Sequence, residues 1–153
     1  MTDGKKAARY DRVAAQLEEQ FAKTRDPIAR MATAAALLKG KLGHLFWVGF
    51  YRLVDGELTV GPYQGALACQ VLARHTGVCW AGLDRGETVI VPDVEAFPGH
   101  IACDSRSRSE IVVPVRDRDG RVWAVLDADS DRPRAFDDDD ARGLERIARM
   151  ICA

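Results

Sequence analysis

The sequence predicts an α+β fold, one domain whose N-terminal and C-terminal helices pack on a central antiparallel sheet. Three observations carry this expectation. Apolar residues recur at helical spacing near both ends, β-branched and aromatic runs fill the middle, and turn signals such as DGE and RDRDG join neighbouring runs. With 153 residues, 47% of them hydrophobic and 29% charged, the chain has the composition of one ordinary domain with a sizeable core. No internal repeat, low-complexity segment or linker divides it. The expected organisation is a single domain over 1–153, with helices in 1–40, sheet and active-site loops in 45–130, and a last helix over 137–152.

Each element has its own local reason. Residues 10–24 place Val13, Leu17 and Phe21 on one helical face, and Asp26 with Pro27 opens a second helix carrying Ile28, Met31, Ala35 and Leu38. The run LFWVGFYRLV (45–54), the turn DGE and the run LTVGPY (58–63) read as a hairpin. Further strands are predicted at CQVL (69–72), TVIV (88–91), EIVVPV (110–115) and VWAVLDAD (122–129), with RDRDG turning between the last two. Asp137 to Asp140 crowd the start of the final helix, where acidic side chains favour the positive end of the dipole, and Leu144, Ile147 and Ile151 mark its buried face. That acidic run reads as a helix start and not as a metal site.

Charge and hydropathy exclude several function classes. A formal net charge of −1 with scattered basic residues provides no footprint for nucleic acid. No stretch approaches the about 18 apolar residues of a spanning helix, and the basic start has no apolar segment behind it, so no membrane contact and a cytoplasmic location are expected. In that compartment the four cysteines, at 69, 79, 103 and 152, point to catalysis, redox work or metal binding more than to a permanent disulfide framework.

Cys103 sits in the polar stretch HIACDSRSRSE (100–110), a loop context in which a thiol kept for packing is out of place. Cys69, Cys79, Cys103 and His100 offer the donor types of a structural zinc site, but their spacing is far wider than a C-x₂₋₄-C clip. No Gly-rich phosphate loop, nucleophile elbow or papain-like cysteine signature is present. A redox thiol remains, with Arg106 and Arg108 as sources of thiolate character and Cys69 or Cys79 as a resolving partner. Packing alone would equally account for any one of these cysteines.

Strand alternation places two further groups. In VWAVLDAD, Trp123, Val125, Asp127 and Asp129 share a face, so two carboxyls point the same way roughly 7 Å apart. Partial burial of such a pair keeps one carboxyl protonated near neutral pH and makes it a proton donor; a solvated strand end is the plainer alternative. Trp47, Gly49 and Tyr51 share a face of the first strand. The missing side chain of Gly49 leaves either a slot for a small alkyl, thioether or ammonium group or room for a packed helix beside core aromatics.

The motifs FWVGFY, GPYQGALAC, GVCWAG, VPDVEAFPGHIACDSRSRSEIVVPV and AVLDADS together resemble the free methionine (R)-sulfoxide reductase family, whose members are GAF domains. The likeness runs over residues 47–130, and 91–115 is its most specific part. It implies a GAF-like fold and a thiol-dependent oxidoreductase. It implies that Cys103 attacks the sulfoxide, that Cys69 resolves the resulting sulfenic acid, and that Cys79 is auxiliary. Glu110, Asp127 and Asp129 are implied as the acidic group that donates a proton and binds the ammonium, with Trp47 and Tyr51 lining the pocket. Thioredoxin is the implied reductant and a homodimer the implied assembly, with no metal or organic cofactor. Leu67, His75, Thr76 and Trp80 depart from the family's usual residues, all near Cys69 and Cys79, and Cys152 matches nothing catalytic. Two other classes remain in view. One is a non-catalytic GAF small-molecule sensor, which is expected beside an output domain for which this chain leaves no room; the other is a general thiol antioxidant protein.

Overall fold

The computed structural model describes residues 3–100 and 103–153, so the first two residues of the predicted helical segment 1–40 lie outside the described residues. Six strands form one antiparallel sheet: β1 (Trp47–Val54), β2 (Glu57–Gln64), β3 (Val71–Leu72), β4 (Val89–Val91), β5 (Ser109–Arg116) and β6 (Val122–Ser130). Their order across the sheet is β3-β2-β1-β6-β5-β4. The first and last long strands are thus neighbours at the centre, and β6 is paired on both edges. The β1–β2 hairpin turns at Asp55 and Gly56, both at positive φ (52° and 79°), the pattern that matches strand twist.

Three helices cover one face of the sheet: α1 (Asp3–Phe21), α2 (Pro27–Lys41) and α4 (Asp138–Ile151). Val13, Leu17, Met31, Leu38, Leu144, Ile147 and Ile151 meet Phe50, Ile111, Ala124, Leu126 and Ala128 in one core. The opposite face carries a second core, in which α3 (Gly77–Arg85) lies over Tyr51, Val112 and Val125. Strand β6 is therefore buried on both sides, as its sequence predicts.

Three elements differ from the sequence reading. α1 begins at Asp3, seven residues earlier than its apolar periodicity, because its polar first turns are held from outside. Lys6 Nζ donates to Asp140 Oδ2 at 2.7 Å and to Asp137 Oδ2 at 3.0 Å, and Tyr10 donates to Asp140 Oδ1 at 2.7 Å. The predicted strand CQVL shrinks to Val71–Leu72, leaving Cys69 in a loop. Helix α3 has no signal in the sequence reading, since Gly77, Gly82 and Gly86 punctuate a nine-residue segment. It forms because Gly82 lets it lie flush on β5: a Cβ there would stand 2.6 Å from Val112 Cγ1. Trp123 also leaves its expected face for the helical core, beside the register shift between Val115 and Arg116.

The acidic run does start α4. Asp137 accepts from the backbone N–H groups of Asp139 and Asp140, while Asp140 accepts from that of Asp137, a reciprocal cap. Asp140 is also fully buried and takes a third side chain, His44 Nε2 at 2.7 Å. Burial opposes its ionisation, but the hydrogen bonds from His44, Lys6 and Tyr10 outweigh it and hold the carboxyl at a pKa of about 2. Because the folded value lies below that of an unfolded aspartate, this stabilisation is present above about pH 4 and is lost as pH falls toward 2. Asp140→Asn is expected to lower unfolding free energy at neutral pH by about 3 kcal/mol, the cost of breaking a buried ion pair by removing one partner, with Asp137 left as the only carboxylate on Lys6. Urea titrations of both proteins across that acid window should show the gap closing as pH falls; a pH-independent gap would mean the carboxylate's charge contributes nothing.

Candidate functional site

Strand register assembles the acids. Asp129 pairs with Trp47 on β1 and with Glu110 on β5, and Asp127 pairs with Gly49 and Val112. Directly paired residues share a face, so Glu110, Asp127, Asp129, Trp47 and Tyr51 all project to the α3 side. They line one cavity of about 60 Å³, large enough for several waters, together with Cys79, His100, Cys103 and Ser107. Asp127 and Glu110 are about 95% buried, and Asp129 is half-buried on the cavity wall, so none is the solvated strand end that spacing alone allowed.

Among the described residues that line the cavity there is no Lys or Arg. Burial first, then the charges of Asp127 and Asp129, push the Glu110 carboxyl well above the usual range. Burial and the Asp127 charge do the same to Asp129, against a hydrogen bond from Ser107 Oγ at 3.3 Å. Asp127 is raised by burial and drawn back by hydrogen bonds from Glu110 and Cys79. The three titrate as one interacting group, in which burial and mutual repulsion favour the protonated forms.

The cysteines separate by environment. Cys69 and Cys103 form a disulfide with Cα atoms 5.6 Å apart, Cys103 exposed and Cys69 half-buried at the cavity mouth. Cys79 is a buried free thiol near the start of α3, and burial and the neighbouring acids push its pKa well up. Cys152 is free and lies at the C-terminal end of α4, away from the cavity. The two arginines proposed to favour a Cys103 thiolate are otherwise engaged. Arg106 forks onto Asp104 at 2.7 and 3.0 Å and lies over Phe46, and Arg108 donates to the carbonyls of Ser105 and Ser107. They brace the loop.

The aromatic slot is also arranged differently. Trp47 stacks on Tyr51 at 6.1 Å and on Tyr63 at 5.4 Å, and its Nε1 donates to the Ala66 carbonyl. A Cβ at Gly49 would lie 2.8 Å from the Trp47 ring, so Gly49 makes room for Trp47 and Tyr63 and not for a ligand or a helix. Tyr51 donates to the Cys69 carbonyl at 3.1 Å, which ties the aromatic wall to the disulfide. Ser107 escapes the sequence reading because its role follows only from the loop's return over β6. His100, in the sequence a candidate zinc ligand, has Nε2 3.8 Å from Glu110 Oε1, and burial lowers its pKa. The zinc set considered from the sequence does not come together as such, since two of its sulfurs are bonded to each other. The metal-type donors that converge instead are Cys79, Glu110 and Asp127.

The GAF domain family model matches residues 10–153. The free methionine-R-sulfoxide reductase of Escherichia coli is 39% identical over 124 residues, covering 81% of this chain and 74% of that protein. The X-ray structure of the Neisseria meningitidis free methionine-R-sulfoxide reductase in complex with its substrate superposes with a TM-score of 0.90 at 47% identity, covering 95% of this chain and 87% of that one. The chain belongs to the free methionine-R-sulfoxide reductase family of GAF domains. Relatives also include GAF domain-containing protein A of Dictyostelium discoideum, 41% identical over 99% of this chain and 95% of that protein.

The residues that depart from the family pattern support one another. His75 and Trp80 pack as a tilted pair with ring centroids 4.6 Å apart, His75 Nδ1 meets Asp84 at 2.8 Å, and Trp80 Nε1 donates to the Leu72 carbonyl. The exchange of one aromatic position for another keeps the loop that bears Cys69 fastened to α3. Leu67 stands 85% exposed at the rim.

The raised pKa of Glu110 has a measurable sign. Above the unfolded value of about 4.3 the native protein holds a proton that the unfolded chain has lost, so this group lowers stability as pH rises through that window. The stability of Glu110→Gln relative to the parent should therefore improve between about pH 3 and pH 7 in paired urea titrations. A difference that stays flat, or that worsens with pH, would show Glu110 ionised in the native state.

Proposed function

We propose that this protein reduces free L-methionine (R)-sulfoxide to methionine, with Cys103 as the attacking thiol, Cys69 as the resolving thiol, and Glu110, Asp127 and Asp129 as the acid group. The observation that carries this reading is the Cys69–Cys103 disulfide beside a cavity that Cys103 lines together with three crowded carboxyls, whose pKa values burial raises. The names of the E. coli and N. meningitidis relatives supply the substrate.

The chemistry follows from what each group can do. The Cys103 thiol supplies two electrons to the sulfoxide sulfur, and the S–O bond breaks only as its oxygen acquires a proton, which a neutral carboxyl beside it provides. The oxygen ends on Cys103 as a sulfenic acid and methionine leaves. Cys69 then displaces that oxygen as water and closes the disulfide. An external dithiol returns both cysteines to thiols, itself becoming a disulfide. Cys79 stays protonated beside Asp127 and serves as an auxiliary at the acid cluster. Trp47 and Tyr51 offer the apolar wall for the thioether methyl, while whichever carboxyl is ionised attracts the substrate ammonium. A peptide-bound methionine sulfoxide has no free ammonium to satisfy that charge, so the free amino acid is preferred.

Recycling by thioredoxin, a homodimeric assembly and a cytoplasmic location belong to the same reading and rest on the family likeness. Among the described residues no helix is long and apolar enough to cross a membrane. A sensor of the GAF type needs the cavity but gains nothing from an adjacent disulfide-forming pair, which is why reduction is the reading preferred here.

Cys103→Ser is expected to abolish methionine release with the fold intact by circular dichroism, whereas Cys69→Ser should release one equivalent and then stall with thioredoxin present. Steady turnover by Cys69→Ser would transfer the resolving role to Cys79. Asp129→Asn should slow single-turnover release by at least about 100-fold while leaving the alkylation rate of reduced Cys103 unchanged. If both Asp129→Asn and Asp127→Asn release methionine at the parent's single-turnover rate, the acids have no part in proton donation.

A further inference from the structure

Cys79 has no bond-making step in the reaction above, yet its thiol lies on the cavity floor. One ligand atom each from Cys79, Glu110 and Asp127 lies within 4.8 Å of the others, and all three residues are buried. Asp127, 5% exposed, keeps Oδ1 without a hydrogen-bond partner. His100 Nε2, 3.8 Å from Glu110 Oε1, borders the same space.

Two carboxyls, a thiol and an imidazole converge there with no lysine or arginine among the described lining residues. Burial favours the protonated form of each of the three ligand groups. A dication would replace several of those protons at once and give the unpartnered Asp127 oxygen a ligand. Zn²⁺ binds thiolate sulfur at about 2.3 Å and carboxylate oxygen at about 2.0–2.2 Å in tetrahedral sites, so its ligand atoms sit about 3–4 Å apart. The cluster needs only a small contraction to reach that. One sulfur with two oxygens also favours a thiophilic ion over Ca²⁺ or Mg²⁺, which take six or more oxygens and shun thiolates.

We propose that Cys79, Glu110 and Asp127 form a binding site for a thiophilic divalent cation of the Zn²⁺ type, with the fourth position open to the cavity or filled by His100. On binding, the Cys79 thiol and the carboxyls release their protons to water and no electron changes hands. The site needs no member of the Cys69–Cys103 pair, so it exists in the disulfide form, and it stands or falls independently of the reductase reading.

The disulfide form allows a clean test, because Cys79 and Cys152 are then the only free thiols. Cd²⁺ is titrated into that protein while its thiolate charge-transfer absorption is followed, and Zn²⁺ binding is measured by calorimetry. One ion per chain with a cadmium–thiolate band is expected, unchanged in Cys152→Ser. In Cys79→Ser the band should vanish and Zn²⁺ affinity should fall by at least about 100-fold, the upper end of what losing even an outer-sphere partner does. Glu110→Gln should weaken Zn²⁺ while retaining the band. Circular dichroism checks that each variant is folded, and if Cys79→Ser is not, Glu110→Gln and Asp127→Asn decide by their Zn²⁺ affinities. A band lost in Cys152→Ser, no band in the parent, or Zn²⁺ affinity unaltered by both carboxyl variants would overturn the proposal.

Discussion

Three carboxyls crowded onto one sheet face without a lysine or arginine beside them set the terms for the rest of the site. The crowding is imposed by strand pairing: Asp129 lies opposite Glu110 on one side and Trp47 on the other, so no rotamer change can disperse the group. Proton retention follows from electrostatics, because ionising all three would place like charges together in a poorly solvated space. Every other feature of the site accommodates that constraint. Burial first, and then the neighbouring acids, raise the Cys79 pKa, and Ser107 donates to Asp129. The Cys69–Cys103 disulfide lies beside them, with Cys103 lining the cavity and exposed to solvent.

Much of this was legible in the sequence, for a specific reason. Alternation along VWAVLDAD fixes Asp127 and Asp129 on one face whatever the partners are, and a hairpin through RDRDG brings Glu110 alongside by register. Both facts are local. The alternation could not say whether that face is solvated, because burial depends on α3, and α3 has no strong periodic signal among its glycines. Gly49 shows the same limit. The sequence shows that a side chain is missing between Trp47 and Tyr51, but Tyr63, which takes up the space with Trp47, arrives from the neighbouring strand through a pairing that shifts register between Gly49 and Tyr51. The arginines of the active loop failed as thiolate partners for a comparable reason, since Asp104, two residues away, already holds Arg106.

The family likeness added what spacing could not, the identity of Cys69 as partner to Cys103 across 34 residues of chain. Its departures carry information as well. His75 and Trp80 replace the usual residues as a pair of rings packed at a tilt, and Trp80 bonds the Leu72 carbonyl three residues beyond Cys69. Changing either alone would open the contact that fastens the loop to α3. His75 moreover adopts φ of 55°, in the left-handed region, to turn the chain into that helix, so the pair holds a bend that a β-branched residue at 75 would resist.

Asp140, on the other side of the sheet, shows what decides the fate of a buried carboxyl here. It is more deeply buried than Asp127, yet its pKa falls to about 2 while that of Asp127 rises. Desolvation pushes both upward; the difference lies in the partners. Asp140 accepts from Lys6, Tyr10, His44 and a backbone N–H, whereas Asp127 faces two more acids and a thiol and leaves Oδ1 bare. The first arrangement is ionised, satisfied and ties the ends of the chain together, which suits a structural role. The second places like acids against one another, and a positive charge or hydrogen-bond donors brought among them would favour their ionised forms. The two faces of the sheet therefore use one side-chain chemistry in opposite ways: the helical layer gives its carboxyl cationic and hydrogen-bonding partners from within the chain, and the α3 layer sets its carboxyls against one another.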